Sequence, residues 1–527
     1  MSHSQWDMII VGAGASGSVF AHEMTRSGFK VLMLEQGKHY KNHNEDFKEN
    51  ELDWLERVWD NSQYQTSGGG FTGAPNFGIG VGGGTLVWTA LTPRFFDRDF
   101  QLRSLYGQPA GTSVEDWPFK LKNLEPFYDR AEKQMGVSGG VTLWDSPTRT
   151  PPPNPAFGYY RSSVLLQRGM QKMGIQSAPG PVAINSKKYR KRDQCVHCGF
   201  CRSGCRIDAK YQSDNALLNH SLKTGNLKIH SQALVTKLET SRRHNRVTAV
   251  RYRDLATGVE HRAKAKIVVV ANNPIEIPRL LLNSANHHFP TGLGNHHDQV
   301  GRNFFAHPST IGVGVMNECV NASIGFNMGN IVTFDFCETA DADQQIGGFS
   351  FLSMNGAGAG VLAVDPYRDL WGAPLKSTLK NYNKSIFTIA FCEGMPVPEN
   401  RISVSKVDHD KNGVPVAKIH YQLHQNDQRI FADAVETSKR VLRSAGAQEV
   451  HVLDTPFESH AAGTMRMGTH PKNSATNAYG KVHGLRNLFV GGAALFPSGS
   501  SVNPTLTLHA LALRTTEHIK RHLHDMD

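Results

Sequence analysis

Residues 8–17 read Met8-Ile-Ile-Val11-Gly12-Ala-Gly14-Ala-Ser16-Gly17, an apolar strand that runs directly into a glycine turn. The residues that follow predict a helix over Val19–Ser27 and a second apolar strand over Lys30–Leu34. Strand, glycine turn, helix and strand in this order predict a dinucleotide-binding unit, because glycine permits the tight turn and lets the backbone approach a pyrophosphate. The free N–H groups at the helix start would then face the phosphates.

An acid and two further glycine loops indicate which nucleotide is bound. Glu35 follows Gly17 by 18 residues, close to the distance expected for an acid that grips a ribose hydroxyl. FAD and NAD share this unit. The stretches Gly78–Thr85 and Gly491–Ala493 add two more places where the backbone can approach a long ligand. Three separated glycine loops favour a buried flavin over an exchangeable nicotinamide.

Composition limits the remaining possibilities. The chain has 527 residues, enough for two to three domains, and its 39% apolar and 20% charged content is typical of a soluble globular protein. Mean hydropathy is −0.39, and the absence of any apolar run of about 18 residues excludes a transmembrane helix. The first strand begins too early to leave room for a signal peptide. A net charge of +11 suggests a diffusely basic surface, and no motif for nucleic acid accompanies it.

Four of the seven cysteines fall within eleven residues, at Cys195, Cys198, Cys201 and Cys205. This spacing is the one used in bacterial-ferredoxin-type iron–sulfur ligation, apart from the proline after the last cysteine. A structural zinc site usually draws two pairs of ligands from separated segments, and disulfides within so short a stretch would be cramped. The spacing favours an iron–sulfur cluster, with zinc and with free or disulfide-bonded thiols as alternatives.

The other three cysteines stand alone in apolar surroundings. We predict that they are small core residues. They are Cys319, Cys337 and Cys392.

Several motifs together resemble the glucose–methanol–choline (GMC) family of flavoprotein oxidoreductases. The N-terminal unit matches, and the resemblance continues over almost the whole chain. The other matching stretches are Gly82–Trp88, Val269–Leu281, His460–Gly468 and Val502–Thr507. Many family members carry an acidic residue in the last flavin loop, where this chain has Gly492.

Within that family the chain is most similar to the large subunits of bacterial dehydrogenases for gluconate, fructose and glucose. The phrases that carry this likeness include Asp116-Trp-Pro118, Val300-Gly-Arg302-Asn303 and Pro398-Glu-Asn400-Arg401. The resemblance implies oxidation of an alcohol group, with a sugar, polyol or sugar acid favoured as the substrate. It also implies a [3Fe–4S] cluster in the cysteine segment. Because the first cysteines of those subunits are spaced differently from Cys195 and Cys198, the cluster type stays open between three and four irons.

The resemblance implies a catalytic pair and a set of FAD contacts. A neutral imidazole is the natural base near neutral pH, and His460 takes that role while Asn503 holds the substrate hydroxyl. His307 and His509 are predicted to be structural. The predicted FAD contacts are Gly12, Gly14, Ser16, Gly17, Glu35, Gly82, Gly83, Gly84, Thr85, Val235, Gly492, Ala493, Asn503, Pro504 and Thr505.

The expected fold class is α/β, α+β overall, with two domains. Residues 1–90, 193–305 and 455–527 would form a discontinuous Rossmann-type FAD-binding domain that includes the cysteine segment 193–210. Residues 91–192 and 306–454 would form a substrate domain on an antiparallel sheet, because short β-type runs recur between about 310 and 422. A long helix is predicted over Asp427–Ser444.

Electrons are expected to leave through the cluster to an external acceptor such as a cytochrome, with a small subunit as a further possible partner. The location is expected to be cytoplasmic, or periplasmic through a partner subunit that carries the signal. An oxidase that uses oxygen and a non-redox lyase that retains FAD are the alternatives. In the oxidase, the cysteines would be vestigial or structural.

A dense basic run precedes the cysteines. It comprises Lys187, Lys188, Arg190, Lys191 and Arg192. One hypothesis is that the run steers an acidic electron carrier to the cluster. The alternatives are a solvated loop, or cations that offset the charge of a thiolate-bound cluster.

Overall fold

The computed structural model describes residues 6–58, 64–70, 77–241, 245–338, 345–364, 367 and 370–523. The strands in this part of the chain are β1 (Trp6–Val11), β2 (Val31–Leu34), β3 (Gln65–Ser67), β4 (Leu227–His230), β5 (Ala233–Ser241), β6 (Arg246–Asp254), β7 (Glu260–Ala263), β8 (Ala265–Val270), β9 (Phe305–Val315), β10 (Met328–Thr333), β11 (Phe349–Met354), β12 (Ser385–Cys392), β13 (Arg401–His409), β14 (Pro415–His420), β15 (Glu449–Val452), β16 (Phe457–Ala462) and β17 (Leu488–Val490).

The α-helices in the same part of the chain are α1 (Ala15–Arg26), α2 (His43–Asp46), α3 (Leu102–Tyr106), α4 (Glu125–Met135), α5 (Arg161–Lys172), α6 (Asn219–Leu222), α7 (Glu276–Asn283), α8 (Ala359–Val364), α9 (Gly372–Leu379), α10 (Gln425–Ser444) and α11 (Thr505–Arg521). None of the described helices is long and apolar enough to cross a membrane.

A five-stranded parallel sheet forms the first core, in the order β17-β8-β1-β2-β4. All residues of β2 and β17 and the last four of β1 are buried, as expected for parallel strands that are covered on both faces. Helix α1 contacts β1 and β2 and packs against α11, which in turn contacts α4. The predicted strand–turn–helix–strand unit is therefore confirmed as part of a Rossmann-type sheet.

A second sheet is antiparallel, in the order β10-β11-β12-β9-β15, with β16 also paired to β9. Helix α10 lies across β9, β12 and β15. Two glycines of β9 permit this contact: a Cβ at Gly312 would lie 2.3 Å from Ser438 Oγ, and one at Gly314 would lie 3.1 Å from Leu442 Cδ2. The expected antiparallel sheet and its long helix are confirmed.

The run Leu227–Leu238 is strand-like throughout its sequence, but the structure divides it into two strands. Strand β4 ends at His230 and belongs to the parallel sheet, whereas β5 begins at Ala233 and pairs with β6 in a separate three-stranded sheet. Gln232 between them has a left-handed backbone (φ +56°), which its residue type does not signal.

The expectation for the isolated cysteines is only partly correct. Cys337 and Cys392 are buried, but Cys319 is exposed, because it lies in the connection that follows β9 rather than in a sheet.

The division into domains stays a prediction. Strand β16 lies within the segment 455–527 that was assigned to the FAD-binding domain. It nevertheless pairs with β9 of the antiparallel sheet, so this segment contributes to both sheets.

Candidate functional site

The turn between β1 and α1 requires glycine at two positions. Gly12 has φ +98°, and a Cβ there would lie 2.9 Å from the carbonyl oxygen of Ala271 at the end of β8. A Cβ at Gly17 would lie 2.1 Å from the carbonyl oxygen of Gly12. The turn can therefore close only without side chains at these positions.

The three glycine loops meet at the start of α1. Gly82 N–H donates to the carbonyl of Ala13 at 2.9 Å, and a Cβ on Gly83 would lie 2.6 Å from Cα of Gly14. A Cβ on Gly491 would lie 2.6 Å from Ser16 Oγ. Loops at residues 12–17, 78–85 and 491–493 thus form one cradle whose walls are backbone.

This cradle fits the pyrophosphate of FAD. Helix α1 begins after Gly14 without any side-chain cap, so its first N–H groups remain available to an anion. Ser16 Oγ is buried and makes no hydrogen bond within the described residues. A Cβ at Gly84 would meet no protein atom within 4 Å, so there is space beside this loop.

Glu35 holds the cradle together. Its carboxylate accepts hydrogen bonds from the backbone N–H groups of Ala13 (2.9 Å), Gly37 (2.8 Å) and Gly80 (3.4 Å). Burial nevertheless raises the pKa of this carboxyl group above its usual value. A carboxylate can accept about four hydrogen bonds, so a ribose hydroxyl would be an additional partner.

The remaining predicted FAD contacts lie in several elements. Thr85 Oγ1 donates to the carbonyl of Gly82 at 2.6 Å and so closes the second loop. Val235 is half-buried on β5. Gly492 and Ala493 follow β17, and the pair Pro504 and Thr505 stands at the start of α11. The start of β5 lies beside Glu35, whose backbone carbonyl accepts from Ala233 N–H at 2.8 Å.

The structure brings the predicted catalytic pair together. Nε2 of His460 lies 3.1 Å from Nδ2 of Asn503. His460 comes from β16 of the antiparallel sheet, and Asn503 lies just before α11, which packs against α1. Asn503 is buried, and its Oδ1 atom has no partner within the described residues.

His307 completes a cluster around this pair. Its Nδ1 atom lies 3.1 Å from Nδ1 of His460, and the ring centroid of Phe391 lies 4.8 Å from that of His460. Burial, followed by the influence of His307, lowers the pKa of His460 well below its usual value. Burial lowers the pKa of His307 to about 4. Both rings are therefore neutral near pH 7. The motif Phe305-Ala-His307-Pro308 shows no sign of this contact in the sequence.

All four clustered cysteines line one cavity, together with Phe200 and Phe326. None of the seven cysteines forms a disulfide in this structure. Among the described residues, no three His, Cys, Asp or Glu side chains form a group that could hold a metal ion.

Backbone N–H groups approach three of the cysteine sulfurs. Those of His197 and Lys210 lie 3.4 Å from Cys195 Sγ and Cys205 Sγ, and the backbone of Asn327 donates to Cys201. Such donors are characteristic of the surroundings of iron–sulfur clusters, whose potential they tune. Burial raises the pKa of Cys195 to about 11 and that of Cys201 to about 12. Thiolates would form there near neutral pH only when a metal supplies positive charge.

Lys210 connects the cysteine cavity to the second glycine loop. Its buried Nζ donates to the carbonyls of Cys201 (2.7 Å), Leu86 (2.9 Å) and Trp88 (3.2 Å). Trp88 in turn donates its indole N–H to the carbonyl of Tyr211 at 2.9 Å. Burial lowers the pKa of Lys210 to about 8. A lysine five residues after a cysteine run gives no sequence signal for this role.

The basic run forms a turn in which one cation is buried. Tyr189 and Arg192 exchange backbone hydrogen bonds, with left-handed residues between them. Arg192 is buried, because its guanidinium donates to the carbonyl of Met135 at the end of α4 and lies 5.8 Å from the ring of Tyr211. Arg192 is therefore inaccessible to an electron carrier, and the steering hypothesis is left with the other four cations of the run. The other four are exposed.

Comparison with known proteins assigns the family. The GMC oxidoreductase family model matches residues 6–309, and its C-terminal counterpart, also described as GMC oxidoreductase, matches residues 396–512. The chain belongs to the GMC oxidoreductase family, as the sequence motifs predicted. It is an FAD-dependent enzyme that acts on CH–OH donors.

Two curated relatives are similar over almost their full length. The fructose dehydrogenase large subunit of Gluconobacter japonicus is 31% identical, over 97% of each chain. The 6'''-hydroxyparomomycin C oxidase of Streptomyces lividus is 30% identical, over 98% of this chain and 92% of that protein. Among solved structures, pyridoxine 4-oxidase from Mesorbium loti has the same fold, with a TM-score of 0.68 and 15% identity over 98% of this chain and 100% of the other.

The contact between glycine loops predicts the effect of Gly83→Ala. The new Cβ would press on Gly14 at a left-handed position (φ +52°), so the variant should lose about 2 kcal/mol or more in the free energy of unfolding. It should also bind less FAD. Chemical denaturation of the apoprotein and flavin absorbance measure the two effects.

Gly84→Ala is the matched control, because its Cβ meets no protein atom. The stability of the apoprotein should stay within about 0.5 kcal/mol of wild type. Equal destabilisation by the two substitutions would contradict the proposed contact.

Proposed function

We propose that this protein oxidises an alcohol group of a sugar, polyol or sugar acid, with His460 as the base and Asn503 as the hydroxyl-holding residue. The observation that carries the proposal is the 3.1 Å contact between His460 Nε2 and Asn503 Nδ2, beside the cradle that fits FAD. Two relatives named for a sugar and for a paromomycin derivative support the substrate class.

The two side chains would have different roles toward the substrate hydroxyl. Neutral His460 would accept the hydroxyl proton at Nε2, because its lowered pKa keeps the ring uncharged before substrate arrives. Asn503 orients the same hydroxyl through its side-chain amide, which neither gains nor loses a proton. FAD, when bound, supplies the acceptor for the hydride that leaves the carbinol carbon.

The FAD contacts predicted from the sequence are retained as part of this proposal. Backbone of the loops at Gly12–Gly17 and Gly82–Thr85 would face the pyrophosphate and the flavin. Glu35 would add a ribose hydroxyl to its backbone partners. The loop at Gly492–Ala493 and the start of α11 would complete the contacts.

We further propose that Cys195, Cys198, Cys201 and Cys205 hold an iron–sulfur cluster. Support comes from their shared cavity and from the backbone N–H groups that approach three of the sulfurs. A cluster spreads its thiolates around a core of several atoms, so its ligands need not converge as they do on a single ion. When bound, the cluster would relay electrons singly to an external acceptor.

The domain division and the partners also belong to this proposal. The parallel and antiparallel sheets are the nuclei of the FAD-binding and substrate domains. Because one relative is named a large subunit, we propose a small subunit and a cytochrome as the partners. The four exposed cations of residues 187–191 lie near the cysteine segment, where they could meet an acidic carrier.

An oxidase is the second candidate function. The observation that favours it is the similarity to a Streptomyces enzyme that is named an oxidase. In that case electrons would pass to oxygen, and the cysteines would have a structural role.

His460→Ala should retain FAD but reduce flavin at least about a hundredfold more slowly, which is the usual scale for loss of a general base. Asn503→Ala should also slow reduction, since the hydroxyl is no longer oriented. Anaerobic stopped-flow absorbance measures both rates. A rate in His460→Ala close to wild type would remove this histidine from the chemistry.

Anaerobic titration with candidate sugars, polyols and sugar acids distinguishes the possible functions. We expect flavin bleaching, followed by little peroxide when oxygen is admitted, because electrons are to leave for a protein acceptor. Rapid peroxide formation would identify the oxidase. An absence of bleaching with every alcohol would leave the non-redox lyase.

The purified protein should contain three to four irons and matching acid-labile sulfide. Replacing Cys201 and Cys205 by Ser should remove the iron while leaving flavin reduction by substrate largely intact. Cys319→Ser, at an exposed cysteine outside the cavity, is the control and should keep full iron content. Zinc, or no metal after anaerobic preparation, would disprove the cluster.

A further inference from the structure

The pairing of β9 with β16 places two histidines side by side. His307 lies opposite Ser459, and the register shifts before the next pair, Phe305 with Ala462. Within this irregularity His460 adopts a left-handed backbone (φ +55°), which residues with a side chain rarely do. The bulge turns the ring of His460 onto that of His307, with ring centroids 5.0 Å apart.

The contact between the two rings requires one shared hydrogen. The Nδ1 atoms lie 3.1 Å apart, which is a hydrogen-bond distance. A neutral imidazole has one N–H donor and one acceptor nitrogen, and both rings are neutral near pH 7. One Nδ1 therefore donates and the other accepts, and the neighbouring groups decide which does so.

A chain of hydroxyl groups determines whether Ser459 Oγ donates a hydrogen bond to His460 or accepts one from it. Ser309 Oγ donates its hydrogen to the carbonyl of His307 at 3.0 Å. Ser459 Oγ, 2.9 Å from Ser309 Oγ, must then be the donor of that pair. Having spent its hydrogen, Ser459 Oγ can only accept from Nδ1 of His460, which lies 3.4 Å away.

The hydrogen bonds of His307 and Asn503 also indicate that the hydrogen of His460 is on Nδ1. His307 forms a hydrogen bond with the backbone of Ser500 of the kind that favours its protonated form, so a ring N–H donates to that carbonyl. Nδ1 of His307 already faces Nδ1 of His460, so we assign the single hydrogen of neutral His307 to Nε2, which makes Nδ1 the acceptor. Asn503 Nδ2 can then donate to the unprotonated Nε2 of His460. Each hydrogen bond in this cluster then has one donor and one acceptor.

We propose that His307 is a positioning residue that holds His460 in the tautomer with hydrogen on Nδ1 and an unprotonated Nε2. The inference rests on the proposed role of His460 as the base. In the other tautomer Nε2 would present an N–H to the substrate hydroxyl and could not accept its proton. After proton transfer, the Nδ1–H bond to His307 becomes charge-assisted and stabilises the imidazolium.

His307→Leu tests the role, because it removes the acceptor while keeping an apolar side chain of moderate size. We expect the limiting rate of anaerobic flavin reduction to fall at least about thirtyfold, with the half-saturating substrate concentration changed by less than about threefold. His307→Asn restores an acceptor oxygen close to the position of Nδ1. It should recover a rate within about fivefold of wild type.

His509→Leu is the matched control, since His509 is also buried and neutral but bonds Gln134 on α4 instead of the catalytic pair. Its limiting rate should stay within about twofold of wild type. Thermal melting and flavin absorbance establish that each variant is folded and loaded. A wild-type rate in His307→Leu, or equal losses in His307→Leu and His307→Asn, would overturn the proposal.

Neutron diffraction of the wild-type protein provides a readout that does not depend on turnover. Deuterium on Nδ1 of His460 supports the proposal, and deuterium on Nε2 overturns it. If wild-type flavin is not bleached by any alcohol, the proposed function fails, while the tautomer is still decided by the diffraction measurement.

Discussion

The close approach of three glycine loops around the start of α1 is the constraint on which the rest of the molecule depends. Gly83 lies against Gly14, and Gly491 lies against Ser16, at distances that leave no room for a Cβ. Glu35 joins the first two loops through backbone N–H groups. The three loops come from separate segments of the chain. Their contact therefore fixes the positions of these three segments relative to one another.

The position of Asn503 follows from that contact, whereas the position of His460 does not. Asn503 precedes α11, which packs on α1. Its position is therefore set by the parallel sheet that α1 covers. His460 belongs to β16, whose only strand partner in the described residues is β9 of the antiparallel sheet. The 3.1 Å contact between the two side chains therefore requires both sheets to be assembled in register. Substitutions far from the pair can disturb it through either sheet.

The buried ammonium of Lys210 has a comparable role between the cradle and the cysteine cavity. A buried charge is costly unless it is hydrogen-bonded, and three carbonyls surround this one. Two of these carbonyls, those of Leu86 and Trp88, follow the second glycine loop, and the third belongs to Cys201. Loss of the ammonium would leave the carbonyls unsatisfied. These hydrogen bonds tie the residues that follow the second glycine loop to the cysteine segment.

The glycine turn, the parallel strands and the grouping of the cysteines could be predicted from the sequence, because each depends on residues close together in the chain. The glycines at residues 12 and 17 are required by a tight turn, and the continuous apolar runs of β1 and β2 are required by a sheet covered on both faces. The spacing of the cysteines likewise brought all four to one cavity. The family motifs then singled out His460 and Asn503 among 25 histidines and many polar residues.

Only the tertiary structure decided which side chains meet across elements. The contact of His307 with His460 depends on a bulge between two strands about 150 residues apart, and nothing local to either residue specifies it. Arg192 resembles its neighbours in a basic run but is buried, because its guanidinium bonds to the end of α4. Residue type and spacing predict the conformation of the backbone near each residue. Burial, ring orientation and shared hydrogens are set by the packing of segments distant in the sequence.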